Sequence, residues 1–410
     1  MIPAGVILPF DGNNTAIPAG WSRDTRFDGR FPSAISGTLG QTGGSSAHSH
    51  TGSTHTHQPN SHVHSSDEYT SSANGEQGYS SNDDPKSTVS EGHRHKAQVS
   101  NASFSGNALS DKVDYASTTA LPPYYEVIFI KADTDSQIPA ESLVYRSSAR
   151  SGLSFHSASQ NRFLKGAVAG GNAGGTGGSN THSHSVTHTH TAVSHTHSGT
   201  TGESTDTDRR QADGGSVIGQ HTHTFSFSQS LTGDTFTGTS PSETNLPTYT
   251  NLGLYKAASQ TNVAVGDIAI TTSSSNPTGW ITCDGTNGTP KLSGFYVRNS
   301  QTSGTGGKVK HTHESGNSHT HSQSHNHGGS VTTNTNQGGH GAYGGTLKAS
   351  QNHSHTITNI STVNMTWQAA SMSAGETSWE PPYIRVRYIM ATQTALSDGY
   401  GPALLLLLDR

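Results

Sequence analysis

Histidine in this 410-residue chain follows one grammar, His-x-His, and that grammar restricts the fold more than any other feature. The pairs are His48/His50, His55/His57, His62/His64 and His93/His95, then His182/His184, His188/His190, His195/His197 and His221/His223, and finally His311/His313, His319/His321, His325/His327 and His353/His355. Of the 26 histidines, only His156 and His340 stand outside. In an extended strand, residues i and i+2 point to one face, so each pair presents two imidazoles side by side. Two rings cannot fill a coordination sphere. Three such strands around a common axis supply six nitrogens, an octahedral set that suits first-row ions such as iron, nickel, copper or zinc. Structural zinc prefers four ligands, so six nitrogens favour iron, with nickel next.

The first three pairs of each group begin 7 and 7, 6 and 7, and 8 and 6 residues apart. Seven residues of strand would place successive layers roughly 20 Å apart. An odd step puts successive pairs on opposite faces of a flat strand, so the strand must wind or carry a bulge between them.

The pairs belong to three copies of one plan. TGGSSAHSH from Thr42 recurs as TGGSNTHSH from Thr176 and TGGKVKHTH from Thr305. Downstream come LPPYYEVIFIKA from Leu121, LPTYTNLGLYKA from Leu246 and EPPYIRVRYIMA from Glu380, each a proline punctuation followed by a strand of branched and aromatic residues. The copy starts are less alike. IPAGW ends at Trp21 and NPTGW at Trp280, while the second copy has no Pro-x-Gly-Trp and keeps only NRFLKG from Asn161. The expected division is therefore 1–135, 136–262 and 263–410, each a small β head interrupted by a histidine-bearing excursion over 42–120, 176–245 and 305–379, with a tail at 392–410. Trp21, Trp280, Tyr124, Tyr249 and Tyr383 are expected in the head cores, with His156 and His340 unligated.

Composition leaves room for metal to take the part of a core. Only 29% of residues are hydrophobic and 12% charged, with 48 glycines, too few apolar side chains for a conventional core across this length. Such a chain can be ordered as a thin fibre whose strands satisfy one another's backbone groups and whose axis is pinned by metal. The expected class is all-β, an elongated fibrous structure intertwined around a threefold or pseudo-threefold axis. A net charge of −5 with scattered Lys and Arg gives no footprint for nucleic acid. The single Cys283 excludes an internal disulfide framework. The start lacks the features of a signal peptide, and no run reaches the length of a membrane span; the five leucines of ALLLLLDR read as a closing strand or interface plug. Six-histidine layers leave no open position or carboxylate for catalysis, so an enzyme is not expected.

The order P-x-G-W, C-D-G at Cys283 to Gly285, G-R-F at Gly29 to Phe31, a Gly-Gly turn, a histidine segment and P-P-Y with an apolar strand resembles the phage tail collar domain of short tail fibres and related receptor-binding proteins. The likeness covers the first and third heads and, in the second, the closing strand, turn and histidines. It implies a virion component in a tail fibre or tail tip, with iron held octahedrally by His-x-His motifs along the axis. Partners would be other tail, baseplate or fibre proteins and a host-surface glycan, lipopolysaccharide or protein. The loops between limbs carry Tyr69, Tyr79, Arg209 and Tyr343, polar and aromatic groups suited to receptor contact. Four pairs in every copy favour one chain forming a pseudo-trimer with about four metals, since each layer then needs one pair per copy. A homotrimer with stacked copies stays open, as do a non-viral collar-domain adhesin or assembly factor and a metal-sequestering protein.

Overall fold

The computed structural model describes residues 1–57, 95–97, 109–190, 194–204, 224–230, 234–313, 318–319, 322–325, 331–332, 356–357, 363–366, 370–371 and 374–393, with only the backbone over most of the excursions. Its elements are β-strands and short 3₁₀ turns, an all-β fold. Among the described residues no helix is long and apolar enough to cross a membrane.

Each copy contributes the same set of strands to the head. Opening strands are Ile7–Phe10, Leu143–Arg146 and Ile268–Thr271; second strands are Trp21–Arg23, Leu153–Phe155 and Trp280–Thr282. Third strands are Phe31–Ser33, Phe163–Gly166 and Tyr296–Asn299, and fourth strands are Thr42–Gly43, Thr176–Gly177 and Thr305–Gly306. The closing strands are Tyr124–Ala132, Tyr249–Ala257 and the interrupted pair Tyr383–Arg385 and Arg387–Ala391.

The closing strands are shared between copies. The C-terminal half of Tyr124–Ala132 pairs with its own opening and second strands, as in Ile7↔Lys131 and Trp21↔Ala132. Its N-terminal half pairs with the second copy, parallel through Phe163↔Tyr124 and antiparallel through Gly177↔Tyr124. Tyr249 takes Tyr296 and Gly306 from the third copy in the same way, and Tyr383 takes Phe31 and Gly43 from the first. No copy completes its own sheet. The three opening strands, two closing strands and two third strands close a seven-stranded barrel. Closing strands buried on both faces need near-continuous apolar runs, which Val127–Ile130 supplies. Ile7, Val127, Phe129, Tyr145, Leu254, Ile268, Ile384 and Tyr388 fill one cluster, and Leu8, Ile130, Trp21, Trp280, Tyr255 and Ile389 another, each drawing on all three copies. Cys283 is one of the buried small residues there, its thiol pushed up to about 12 by desolvation and then by Asp284.

The second copy does have a counterpart to the tryptophans. Leu153 pairs with Ala257 as Trp21 pairs with Ala132 and Trp280 with Ala391. Gly20, Gly152 and Gly279 precede these residues at φ of +80°, +80° and +78°. The conserved element is the left-handed turn, which only glycine adopts without strain, and the ring can be traded for an aliphatic side chain.

The repeated Thr-Gly-Gly has a similar cause. A Cβ on Gly43, Gly177 or Gly306 would lie 2.6, 2.5 or 2.8 Å from the hydroxyl of Tyr383, Tyr124 or Tyr249. A Cβ on Gly44, Gly178 or Gly307 would lie 2.2, 2.0 or 2.0 Å from the carbonyl oxygen of Pro381, Pro122 or Pro247, at φ between +73° and +79°. One glycine admits a neighbour's tyrosine, and the next turns the chain into the excursion.

The excursions run out and back as antiparallel hairpins. Ala47–His57 pairs with Leu109–Thr119, Ser185–His190 with Asp234–Thr239, Ser194–Ser204 with Thr224–Ser230, and Ser322–His325 with Val363–Thr366. Limbs of different copies also pair, Leu109–Thr119 with Ser185–His190 and His95–Ala97 with Ser194–Ser204. The first outgoing limb shifts register against its returning partner between His48 and His50 and again between Thr51 and Thr54, the latter lying between the first two histidine pairs.

Candidate metal centre

Three residues beyond each Thr-Gly-Gly, the outgoing limbs bring one His-x-His pair from every copy to one place. His48, His50, His182, His184, His311 and His313 each offer a nitrogen, all within 4.8 Å of one another. Five of the six residues are buried and His48 is half-buried. The set can hold a metal ion, and every ligand belongs to the same chain.

Its geometry is octahedral. Nε2 atoms approach at 2.9 Å for His48 and His311, 3.1 Å for His48 and His182, and 3.2 Å for His50 and His311, His182 and His311, and His182 and His313. Dividing such edges by √2 puts the centre about 2.1–2.3 Å from each nitrogen, near the metal–imidazole bond lengths of structural sites. Neighbouring rings stand 4.7–5.4 Å apart between centroids and steeply inclined, and their adjacency reproduces the edges of an octahedron. The pairs without such contact, His48 with His313, His182 with His50 and His311 with His184, are the three diagonals. His48, His182 and His311 form one triangular face, and His50, His184 and His313 the opposite face. Every diagonal crosses from one copy to another.

Backbone carbonyls aim the second face. His50 Nδ1 donates to the Gly375 carbonyl at 3.0 Å, His184 Nδ1 to Ala116 at 2.7 Å and His313 Nδ1 to Pro241 at 2.7 Å. Each acceptor lies on a returning limb of another copy. A ring whose Nδ1–H is engaged in this way turns a bare Nε2 lone pair inward when neutral. His184 Nε2 is accordingly buried without a hydrogen-bond partner. Converging lone pairs in a desolvated space repel one another, and a cation at the centre reverses that cost.

Electrostatics favours the neutral form of His48, His182, His184, His311 and His313. Burial first, and then the neighbouring rings, lowers His48 and His311 to about 3 and His182 and His184 to about 4. For His184 the Ala116 hydrogen bond partly opposes the shift. His313 is lowered as well, chiefly by burial. Neutral imidazole is the ligating form.

Around the rings, Trp379 lies over His48 at 5.6 Å and donates through Nε1 to the Ser45 carbonyl. Tyr115 stands 6.3 Å from His50 and 6.4 Å from His184. Below the second face, Val113, Tyr115, Val186 and Ala374 form a small apolar cluster. His188, first of the next pair in the second copy, is also buried.

The remaining predicted ligands divide by description. The backbones of His55, His57, His95, His190, His195, His197, His319 and His325 lie in strands, with no side-chain placement described. His95 pairs in register with Ser204, which sets this member of the fourth pair beyond His195 and His197 along the second copy's outgoing limb. His62, His64, His93, His221, His223, His321, His327, His353 and His355 lie outside the described residues, as do Tyr69, Tyr79, Arg209, Tyr343, His340 and residues 394–410. His156 sits in the head, with Nδ1 at 2.8 Å from Ser159 Oγ and Nε2 at 3.1 Å from Asp11. It is no part of the six-ring set.

Sequence reasoning found the rings and missed what aims them. The carbonyls of Ala116, Pro241 and Gly375 have no side-chain signature. Trp379, in contrast, directly precedes Glu-Pro-Pro-Tyr in the third copy, a position held by Ala120 and Asn245 in the other copies. Comparisons with protein-family models, curated proteins and solved structures found no match for this chain.

Proposed function

We propose that the chain is a structural virion protein, a phage tail fibre or receptor-binding tip whose stalk is stapled along its axis by metal ions, six histidines to each layer. The carrying observation is the octahedron of His48, His50, His182, His184, His311 and His313, built by three copies within one chain. Nine further His-x-His pairs continue the same grammar in the sequence, and the composition leaves a polar stalk little else to hold its axis. Iron is the proposed ion: six imidazoles suit octahedral first-row metals better than structural zinc, and the resemblance to metal-bearing tail-fibre tips points the same way. On this reading one chain forms a pseudo-trimeric elongated fibre. The head docks to other tail, baseplate or fibre proteins, and the loops at the far end of the limbs touch a host-surface glycan, lipopolysaccharide or protein.

The test is elemental analysis coupled to mass measurement in solution. About four tightly held ions in a particle of one chain's mass, 42.8 kDa, is the expected result. The same ratio in a three-chain particle would replace the pseudo-trimer with a homotrimer. Metal that is absent, or that exchanges within minutes, would remove the basis of the reading. Binding of the intact protein to host-cell surfaces, and its loss on shortening the loops, tests the receptor assignment.

A further inference from the structure

We infer that one side-chain position on each seam of the head forms an ordering code, which directs every copy to the next copy of its own chain and excludes ring closure between third copies of different chains. The inference deepens the single-chain reading proposed above and rests on it.

The code lies where a closing strand runs parallel to the third strand of the next copy. Glu126 is in register with Lys165 at the first seam, Asn251 with Arg298 at the second, and Arg385 with Ser33 at the third. Each pair is joined: Lys165 Nζ donates to Glu126 at 2.8 Å, Arg298 Nε to Asn251 at 2.9 Å, and Arg385 Nη1 to Ser33 Oγ at 2.6 Å. A cation also lies on the tyrosine two residues before each closing-strand partner. Lys165 stands 4.4 Å from the Tyr124 ring, Arg298 4.0 Å from Tyr249 and Arg385 3.7 Å from Tyr383.

One cation therefore serves each tyrosine, and its source differs. The neighbouring copy provides it at the first two seams, whereas the closing strand itself provides it at the third. The third seam consequently requires a small neutral partner, and Ser33 is fully buried there. Glu380 completes the exchange. It occupies the place of Leu121 and Leu246 and accepts from Arg385 at 3.0 and 2.7 Å and from Tyr296 Oη at 3.2 Å.

Wrong pairings bring like charges together. A ring run in the opposite order would set Arg385 against Lys165. Three chains stacked as a homotrimer would set Arg385 of one against Arg298 of the next. Lys165 and Arg385 are buried, so such a pair would lose its solvent screening and its anionic partner together. The observed order places no two cations in register.

Full-length chains test this through solution mass, melting midpoint and metal content measured on the same samples. Ser33→Lys puts a second cation beside Arg385, and a fall in midpoint of the order of 5 °C or more is expected, with multi-chain species appearing. The triple variant Ser33→Lys, Arg385→Glu, Glu380→Leu transplants the first seam into the third and should restore single-chain mass and most of the midpoint. Recovery of a folded triple variant where Ser33→Lys alone does not fold supports the code equally. A Ser33→Lys chain with unchanged mass and midpoint overturns it, as does a triple variant no better than the single. Reciprocally, Glu126→Arg should be rescued by adding Lys165→Ser. Metal content separates the two ideas: a chain without bound metal defeats the stapled-fibre reading, while a seam that tolerates Ser33→Lys in a metal-loaded chain defeats only the code.

Discussion

Replacing His184 with alanine removes one inward nitrogen and the donor to the Ala116 carbonyl, and the two losses can be separated. Structural metal sites contribute about 10–16 kcal/mol over four ligands, or roughly 3 kcal/mol for each. Leaving the Ala116 carbonyl without its donor adds at most about 1 kcal/mol, because Ala116 itself is exposed and water can replace the imidazole. The sum is about 3–4 kcal/mol, which for a chain of 410 residues lowers the melting midpoint of the loaded protein by about 3–5 °C. The ligand share alone corresponds to a roughly hundredfold weaker hold on the ion in that layer. Metal counted after dialysis against a graded chelator reads the ligand share; thermal melting of loaded and chelator-treated protein reads the total and the remainder. The variant should shed one equivalent of metal at a lower chelator concentration than the parent, and its stability deficit should shrink once both are metal-free. An equal deficit with and without metal would falsify the assignment of His184 as a ligand and leave it a packing residue.

Further outcomes follow from the same geometry. Gly178→Ala places a methyl 2.0 Å from the Pro122 carbonyl oxygen at a φ of +75°, and a loss of about 3 kcal/mol or more in denaturant unfolding is expected. In metal-free protein His48, His182, His184 and His311 have folded-state values of about 3 to 4, below the 6.5 of the free side chain. The unfolded chain therefore takes up protons first, so stability is complete above about pH 6.5 and falls as pH drops towards 4; a titration of unfolding midpoint against pH that is flat over this window would contradict the buried neutral rings. Trp379 over His48 should lose emission when a paramagnetic ion enters the site, and Trp379→Phe should abolish that part of the signal without abolishing metal uptake.

The convergence of His48/His50, His182/His184 and His311/His313 was legible because it resides in side-chain identity at fixed spacing after a repeated Thr-Gly-Gly. The odd step between the first two pairs called for winding or a bulge, and the limb does shift register between Thr51 and Thr54 as well as between His48 and His50. The sharing of strands was not legible. Tyr124 reads equally well as the core of its own module or as the lid on another's Gly177, since strand pairing across copies depends on long-range register that composition does not encode. Leu153 escaped because the search followed tryptophan, whereas the constraint is the left-handed Gly152 before it. The carbonyls that aim His50, His184 and His313 escaped because every residue has one.

Strand sharing has a consequence for biogenesis. Phe31–Ser33 finds its partners in Tyr296–Asn299 and Tyr383–Arg385, and Thr42–Gly43 finds its partner in Tyr383–Arg385, all more than two hundred and fifty residues later in synthesis. Those early strands must therefore wait with exposed edges until the strand at Tyr383–Arg385 has left the ribosome. Such distant closure slows maturation and leaves incomplete products prone to sticking, a hazard carried by the strand order itself rather than by any one segment.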